Sequence, residues 1–287
     1  MVVSTMMGPR LWKLGESRVD LSRRGMIMGV LNVTPDSFSD GGRFFSSAAA
    51  VAHALEMARA GAQIIDVGGE SSRPGAEPVT AAEEMKRVIP VIEELRGQTE
   101  SFISIDTCKA EVAEAALEAG ATMVNDISGG RADAAMLPLV ARRGAAVIIM
   151  HMQGNPKTMQ VAPSYIDVVD EVANFFRQQY ARALECSIDP MAIAFDPGIG
   201  FGKTLEHNLE LLGNLERLRV EDRPTVIGVS RKSFLGTLTG TTEPVDRLTA
   251  TVSLTALLRG RGAEVFRVHD VAPNVHALRV AEAVLIP

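Results

Sequence analysis

Short apolar, β-branched runs alternate with segments of helical period along almost the whole chain, and this alternation restricts the fold more than any other feature. The runs are Met26–Leu31, Ile64–Val67, Phe102–Ile105, Met123–Val124, Ala146–Met150, Ala192–Phe195, Thr225–Val229 and Val265–Val268, eight candidate strands. Between them, Val112, Ala115, Ala116 and Ala119 fall on one helical face that Thr107 can open as N-cap and Gly120 can close. Val51, Leu55 and Ala58 repeat the pattern before Gly61. Parallel neighbours need a crossover, and eight strand–helix units can close into a (β/α)8 TIM barrel with no exposed sheet edge. An open doubly wound sheet is the rival, but it usually carries a Gly-rich phosphate turn after the first strand, where this chain has Asn32-Val-Thr-Pro-Asp36. Residues 11–20 read as a short N-terminal hairpin capping the barrel floor. No linker, repeat or low-complexity tract marks a second domain, so residues 1–287 are expected to form one barrel.

Composition narrows the partners. With 29 Lys and Arg against 35 Asp and Glu, the formal net charge is −6, which leaves no electrostatic footprint for nucleic acid or an anionic membrane. Any anionic substrate must then be held by local basic residues. Cys108 and Cys186 show no ligand spacing, which argues against a disulfide scaffold or zinc site and fits a reducing cytoplasm. Met1 to Arg10 lacks a signal-type apolar core, and no run of about 18 apolar residues could span a bilayer. A soluble, cytoplasmic protein is expected.

The chemistry is carried by the polar residues at the strand ends: Asn32, Asp66, Asp106, Asn125 with Asp126, His151, Asp196, Ser230 with Lys232, and Arg267 with His269. In a barrel these positions converge on one catalytic rim, as do the irregular stretches Thr34–Ser46 and Asn155–Ser164. Taken singly, Asp66 and Asp126 read as well as helix caps or satisfied core polar residues as they do as site residues. Asp106, Asn125 and Asp196 suit the donor-rich edge of a 2-amino-4-oxo heterocycle, whereas Lys232, Arg267 and His269 suit a diphosphate or carboxylate. Pro197-Gly-Ile-Gly-Phe-Gly-Lys-Thr204 misses the Walker A pattern only at its first glycine, so its glycines are read instead as letting backbone approach a flat ring. His53, His207 and His276 read as surface or capping residues, the methionines as core filler, and Lys232 as an anion or carbonyl ligand rather than a Schiff-base lysine.

Met28-Gly-Val-Leu-Asn-Val-Thr-Pro-Asp-Ser-Phe-Ser-Asp-Gly-Gly42 closely resembles the signature of the dihydropteroate synthases. Asp66-Val-Gly-Gly-Glu-Ser-Ser-Arg-Pro-Gly75, Ser104-Ile-Asp-Thr107, Asn125-Asp-Ile127, Asp196-Pro-Gly-Ile-Gly-Phe-Gly-Lys203, Ser230-Arg-Lys232 and Arg267-Val-His-Asp-Val271 resemble further family motifs, in family order. The resemblance implies condensation of (7,8-dihydropterin-6-yl)methyl diphosphate with 4-aminobenzoate to dihydropteroate and diphosphate, a step of folate biosynthesis. It also implies that Asp106, Asn125, Asp196 and Lys232 hold the pterin, and that Asn32, Arg267 and His269 bind the diphosphate, with Asn32 meeting Mg²⁺. Asp196, Lys232, Arg267 and His269 are the implied catalytic set. Phe38, Asp40, Ser72, Arg73, Pro74 and Ser233 are the implied 4-aminobenzoate site.

The resemblance further implies a homodimer and binding of sulfonamides in place of aminobenzoate. Two departures stand out: Ser72 replaces a frequent Thr, and Ile199 occupies a position where Phe is common. A pterin-binding methyltransferase serving a corrinoid protein is the enzyme alternative, but it has no use for the Arg267-Val-His269 clamp. A catalytically dead pterin-binding paralogue is the other, and would be expected to have lost loop or clamp residues, none of which is missing.

Overall fold

The computed structural model describes residues 10–34, 47–71 and 75–285. An antiparallel hairpin, β1 (Leu11–Leu14) and β2 (Ser17–Asp20), is followed by strands β3 (Met26–Asn32), β4 (Ile64–Gly68), β5 (Phe102–Asp106), β6 (Met123–Asp126), β7 (Ala146–Met150), β8 (Ile193–Asp196), β9 (Val226–Ile227) and β10 (Val265–Val268). The eight pair in parallel, in the order β8-β7-β6-β5-β4-β3-β10-β9. A parallel bridge between Phe195 and Thr225, with Phe195 N–H donating to Pro224 O at 2.9 Å, brings the two ends together. The result is a nearly closed (β/α)8 barrel, as the alternation predicts.

Because both faces of each barrel strand are covered, the strands read as continuous apolar runs, and β4 and β7 are buried at every position. The expected runs stop one or two residues early at β3 to β6 and at β8, since Asn32, Gly68, Asp106, Asn125, Asp126 and Asp196 still lie within the strands. The last expected run before β10 shortens to two residues. Pro224 has no N–H to extend β9 backwards, and the chain turns after Gly228, with Lys232 N–H donating to Val229 O at 3.3 Å.

The crossovers are α1 (Ser47–Arg59), α2 (Ala81–Arg96), α3 (Ala110–Ala119), α4 (Met136–Arg143), α5 (Val168–Glu185), α6 (Leu205–Gly213), α7 (Ser233–Thr239), α8 (Leu248–Gly260) and α9 (Val271–Leu285). Gly120 closes α3 in the left-handed region, φ 119°, as expected. Thr107 is not its N-cap. The helix starts at Ala110, whose N–H donates to Asp133 Oδ2 at 2.8 Å, while Thr107 Oγ1 accepts from Lys109 N–H at 3.2 Å. The Asp133 loop therefore caps its neighbour and leaves Thr107 to tighten the turn before it.

The hairpin covers the N-terminal mouth of the barrel. Trp12 and Leu14 are buried, Lys13 pairs with Asp189 just before β8 at 3.1 Å, and Arg10 pairs with the buried Glu264 just before β10. Glu264 also accepts from Thr225 N–H at 2.8 Å and from Arg219 at 2.9 Å, so one carboxylate ties the hairpin to the starts of β9 and β10. No helix among the described residues is long and apolar enough to cross a membrane.

Candidate active site at the C-terminal rim

The strand-end side chains converge at the opposite mouth. Asp66 is fully buried, and its Oδ2 accepts from Arg267 Nε at 2.6 Å and from Asn125 Nδ2 at 3.1 Å. The other nitrogen of the guanidinium fork, Nη2, donates to Asp106 Oδ2 at 2.6 Å. Four residues from β4, β5, β6 and β10 thus form one network across the mouth. Asp66 Oδ1 is buried without a hydrogen-bond partner, an acceptor that a ligand N–H can satisfy. Of the two carboxylates with open readings, Asp66 belongs to this network. Asp126 instead holds its own loop: Oδ1 accepts from Ser128 N–H at 2.8 Å and Oγ at 2.7 Å, and Oδ2 from Gly130 N–H at 2.8 Å.

On the other side, Asp196 Oδ1 accepts from Gly198 N–H at 2.7 Å, and the Lys232 ammonium donates to Ile199 O and lies 4.4 Å above the Phe201 ring. Gly228 lines the gap between them. A Cβ there would stand 3.8 Å from Asp196 Oδ2 and 3.9 Å from both Lys232 Nζ and Arg267 Cβ. Ile199, the departure from a common Phe, is fully buried, and Phe201 presents the aromatic face to Lys232. His269 Nδ1 lies 3.0 Å from Ser230 Oγ, which also accepts from His269 N–H at 3.1 Å, fixing the ring at the end of β10. Asn32 ends β3 half-buried, and Ser233 opens α7 exposed, directly after Lys232. Phe38, Asp40, Ser72, Arg73 and Pro74 lie outside the described residues.

Burial sets the protonation of these groups. It pushes the Asp106 carboxyl up to about 7, against the pull of Arg267 and with help from Asp66. It also raises Asp196, against Lys232. Burial lowers the Lys232 ammonium to about 8, with Asp196 opposing. Burial works against the Arg267 charge too, but Asp66 and Asp106 outweigh it and hold the guanidinium protonated.

Two residues that the sequence placed near the site stand behind it. Lys203 is buried, and its Nζ bonds His151 Nδ1 at 3.0 Å, His151 O at 3.3 Å and Phe201 O at 3.0 Å. This lysine points inward, so the Walker-like run does not present it to a phosphate at the start of α6. Burial lowers Lys203 to about 7, and burial with Lys203 and Arg131 lowers His151 to about 2, leaving that imidazole neutral. His207 completes a capping box with Thr204 at the start of α6. Lys109 reaches Glu70 and the buried Glu84, tying the loop after β4 to α2, beside a cavity of about 290 Å³ that adjoins Asp106.

Known proteins are similar to this chain in sequence and fold. The family model described as pterin binding enzyme matches residues 28–269. The chain belongs to the pterin-binding enzyme family. The Escherichia coli K12 dihydropteroate synthase is 47% identical over 259 residues, covering 90% of this chain and 91% of that protein. Xanthomonas albilineans dihydropteroate synthase with 4-aminobenzoic acid superposes with TM-score 0.90 at 44% identity, covering 97% of this chain and 99% of that one. In complex with 7,8-dihydropteroate it superposes with TM-score 0.87 at 42% identity, covering 96% and 99%. The Yersinia pestis dihydropteroate synthase in a sulfonamide drug complex gives TM-score 0.89 at 41% identity, covering 96% and 98%.

Proposed function

We propose that this pterin-binding enzyme is a dihydropteroate synthase, joining (7,8-dihydropterin-6-yl)methyl diphosphate to 4-aminobenzoate with release of diphosphate. The observation that carries the reading is the convergence, on one barrel rim, of the carboxylates Asp66, Asp106 and Asp196 with the cations Arg267 and Lys232. Such a set accepts from a donor-rich ring and stabilises an anionic leaving group beside it. The names of the relatives favour synthesis over methyl transfer.

In this reading Asp106, Asn125, Asp196 and Lys232 hold the pterin, with Asp66 Oδ1 as a further acceptor. As ring N–H groups take up Asp106, the Arg267 guanidinium turns from that carboxylate to the diphosphate, where His269 and Asn32 meet it. Arg267 and His269 neutralise the departing charge, and Asp196 favours the positive charge that spreads into the electron-rich pterin as the C–O bond breaks. The weakly basic aromatic amine then attacks and loses its proton, so no strong general base is required. Pterin diphosphate binds first and aminobenzoate second, at Phe38, Asp40, Ser72, Arg73, Pro74 and Ser233.

Mg²⁺ supplies charge neutralisation to the leaving group when bound. Asn32 offers it a hard oxygen. No cluster of three or more His, Cys, Asp or Glu suited to a metal occurs among the described residues. We read the enzyme as a cytoplasmic homodimer, inhibited by sulfonamides as aminobenzoate mimics. The test is diphosphate release by the purified protein with Mg²⁺ and dihydropterin diphosphate, with and without 4-aminobenzoate. Aminobenzoate-dependent dihydropteroate is the expected product. Tight pterin binding with no product would overturn the reading.

A further inference from the structure

Arg231 lies between Ser230 and Lys232, yet its side chain leaves the site. Its φ of 58° falls in the left-handed region, unfavourable for a residue with a Cβ, where glycine would sit without strain. The backbone is held there from α8 and the turn before it: Arg231 N–H donates to Thr251 Oγ1 at 3.2 Å, and Arg231 O accepts from Arg247 Nη1 at 2.9 Å. Its guanidinium grips Asp270 with both prongs, Nε to Oδ2 at 2.9 Å and Nη2 to Oδ1 at 2.6 Å. Asp270 is the residue directly after His269.

The contacts close into a circuit. Asp270 O accepts from Asn274 Nδ2 at 2.7 Å, Asn274 Oδ1 accepts from Thr255 Oγ1 at 2.7 Å, and that hydroxyl lies 3.2 Å from Thr251 O, one turn earlier on α8. Thr251, Thr255 and Asn274 are all fully buried. The circuit is placed where the sheet gives no support. Strand β9 leaves the ladder at Ile227, well before Lys232, whereas β10 continues to Val268, next to His269. Strand pairing therefore does not set how far the ammonium stands from the imidazole, and the Ser230 hydroxyl that holds His269 lies two residues short of Lys232.

We infer that Arg231 and Asp270 are positioning residues whose paired side chains set the span between Lys232 and His269. The inference rests on the proposed reading in which Lys232 holds the pterin ring and His269 the diphosphate, so that one substrate must reach both ends. A bidentate Arg–carboxylate pair fixes orientation as well as distance, which a lysine at position 231 cannot reproduce. An arginine at a strained φ where glycine is easier points to its side chain as the part that matters.

The test compares wild type with Asp270→Asn, Arg231→Lys and Thr251→Val in steady-state kinetics. Calorimetric affinities are measured for the pterin diphosphate and for its 6-hydroxymethyl alcohol, which lacks the diphosphate. Asp270→Asn and Arg231→Lys are expected to raise the KM for pterin diphosphate roughly tenfold, with the KM for aminobenzoate within about twofold and the alcohol affinity within about threefold. Thr251→Val, which loosens the turn without touching the ion pair, shifts the same ratio less, and it carries the comparison if Asp270→Asn does not fold. Equal losses for diphosphate and alcohol, or a lower melting temperature with unchanged affinities, would overturn the inference. A wild type that made no dihydropteroate would sink the proposed function, while the diphosphate-to-alcohol affinity ratio, which needs no turnover, would still decide the clamp.

Discussion

Asp66→Asn is the sharpest probe of the site network. The substitution keeps the shape of a fully buried side chain but removes the charge facing Arg267 Nε at 2.6 Å. Losing one partner of a buried ion pair typically costs about 3–5 kcal/mol. Here Arg267 keeps Asp106 at 2.6 Å, so about half of that, ~2 kcal/mol, is the expected loss of stability. The guanidinium is left pivoting on Nη2. A loss of ~2 kcal/mol in transition-state binding corresponds to a roughly 30-fold lower kcat/KM for pterin diphosphate. Because Asp66 and Asp106 share Arg267, Asp66→Asn and Asp106→Asn must be non-additive, by about 1 kcal/mol or more, in urea unfolding and in kcat/KM. The single variant should also let Asp106 ionise below its value of about 7, since Asp66 is one of the charges that raise it. Additive effects within about 0.5 kcal/mol, with an unmoved acid limb, would refute the shared network.

The geometry sets four further outcomes. Asp106 keeps its proton below about 7 and Lys232 loses its own above about 8, so pterin affinity should rise through the first and fall through the second, read by calorimetry across pH. Because the folded value of Asp106 is raised, its contribution to stability is full below the ordinary 3.8 and is lost as pH rises through about 7. Gly228→Ala places a methyl 3.8 Å from Asp196 Oδ2, so it should change the melting temperature little and weaken pterin binding roughly tenfold. Gly198→Ala should cost about 4 kcal/mol or more in urea unfolding, because its Cβ would lie 1.9 Å from His151 O at a φ of 65°.

The barrel was legible because each strand is buried on both faces and therefore spells a short apolar run, whereas element ends were not, since polar site residues interrupt those runs from within the ladder. Asp66 illustrates the limit. Alone in an apolar strand it reads as a cap or a core polar group, and only the pairing of β4 with β3 and β5, and of β3 with β10, brings Arg267 onto it. Lys203 shows the same limit. The run around it misses the Walker A pattern and is not read as a phosphate loop, but only the contact with His151, at the end of β7, shows that the ammonium turns inward. Thr107 failed because its competitor for capping, Asp133, comes from the next crossover. In each case the side chain's identity was visible and its partner, more than twenty residues away, was not.

The arrangement also explains how one rim can hold so many desolvated charges. Asp66, Asp106 and Asp196 face Arg267 and Lys232 within a nearly closed barrel, and burial alone would drive Asp106, Asp196, Lys232 and Arg267 toward their neutral forms. Arg267 resists because two carboxylates meet its planar fork, and so it anchors the charge state of its neighbours. Asp106 and Lys232, held near about 7 and about 8, remain poised to gain or lose charge when a ligand supplies a new partner. A polar ring that satisfies Asp106 would then release guanidinium bonding capacity toward an anion at the same rim. The two ends of a pterin diphosphate are therefore coupled through Arg267, and a ligand carrying both ends should bind more tightly than the sum of its separated parts predicts.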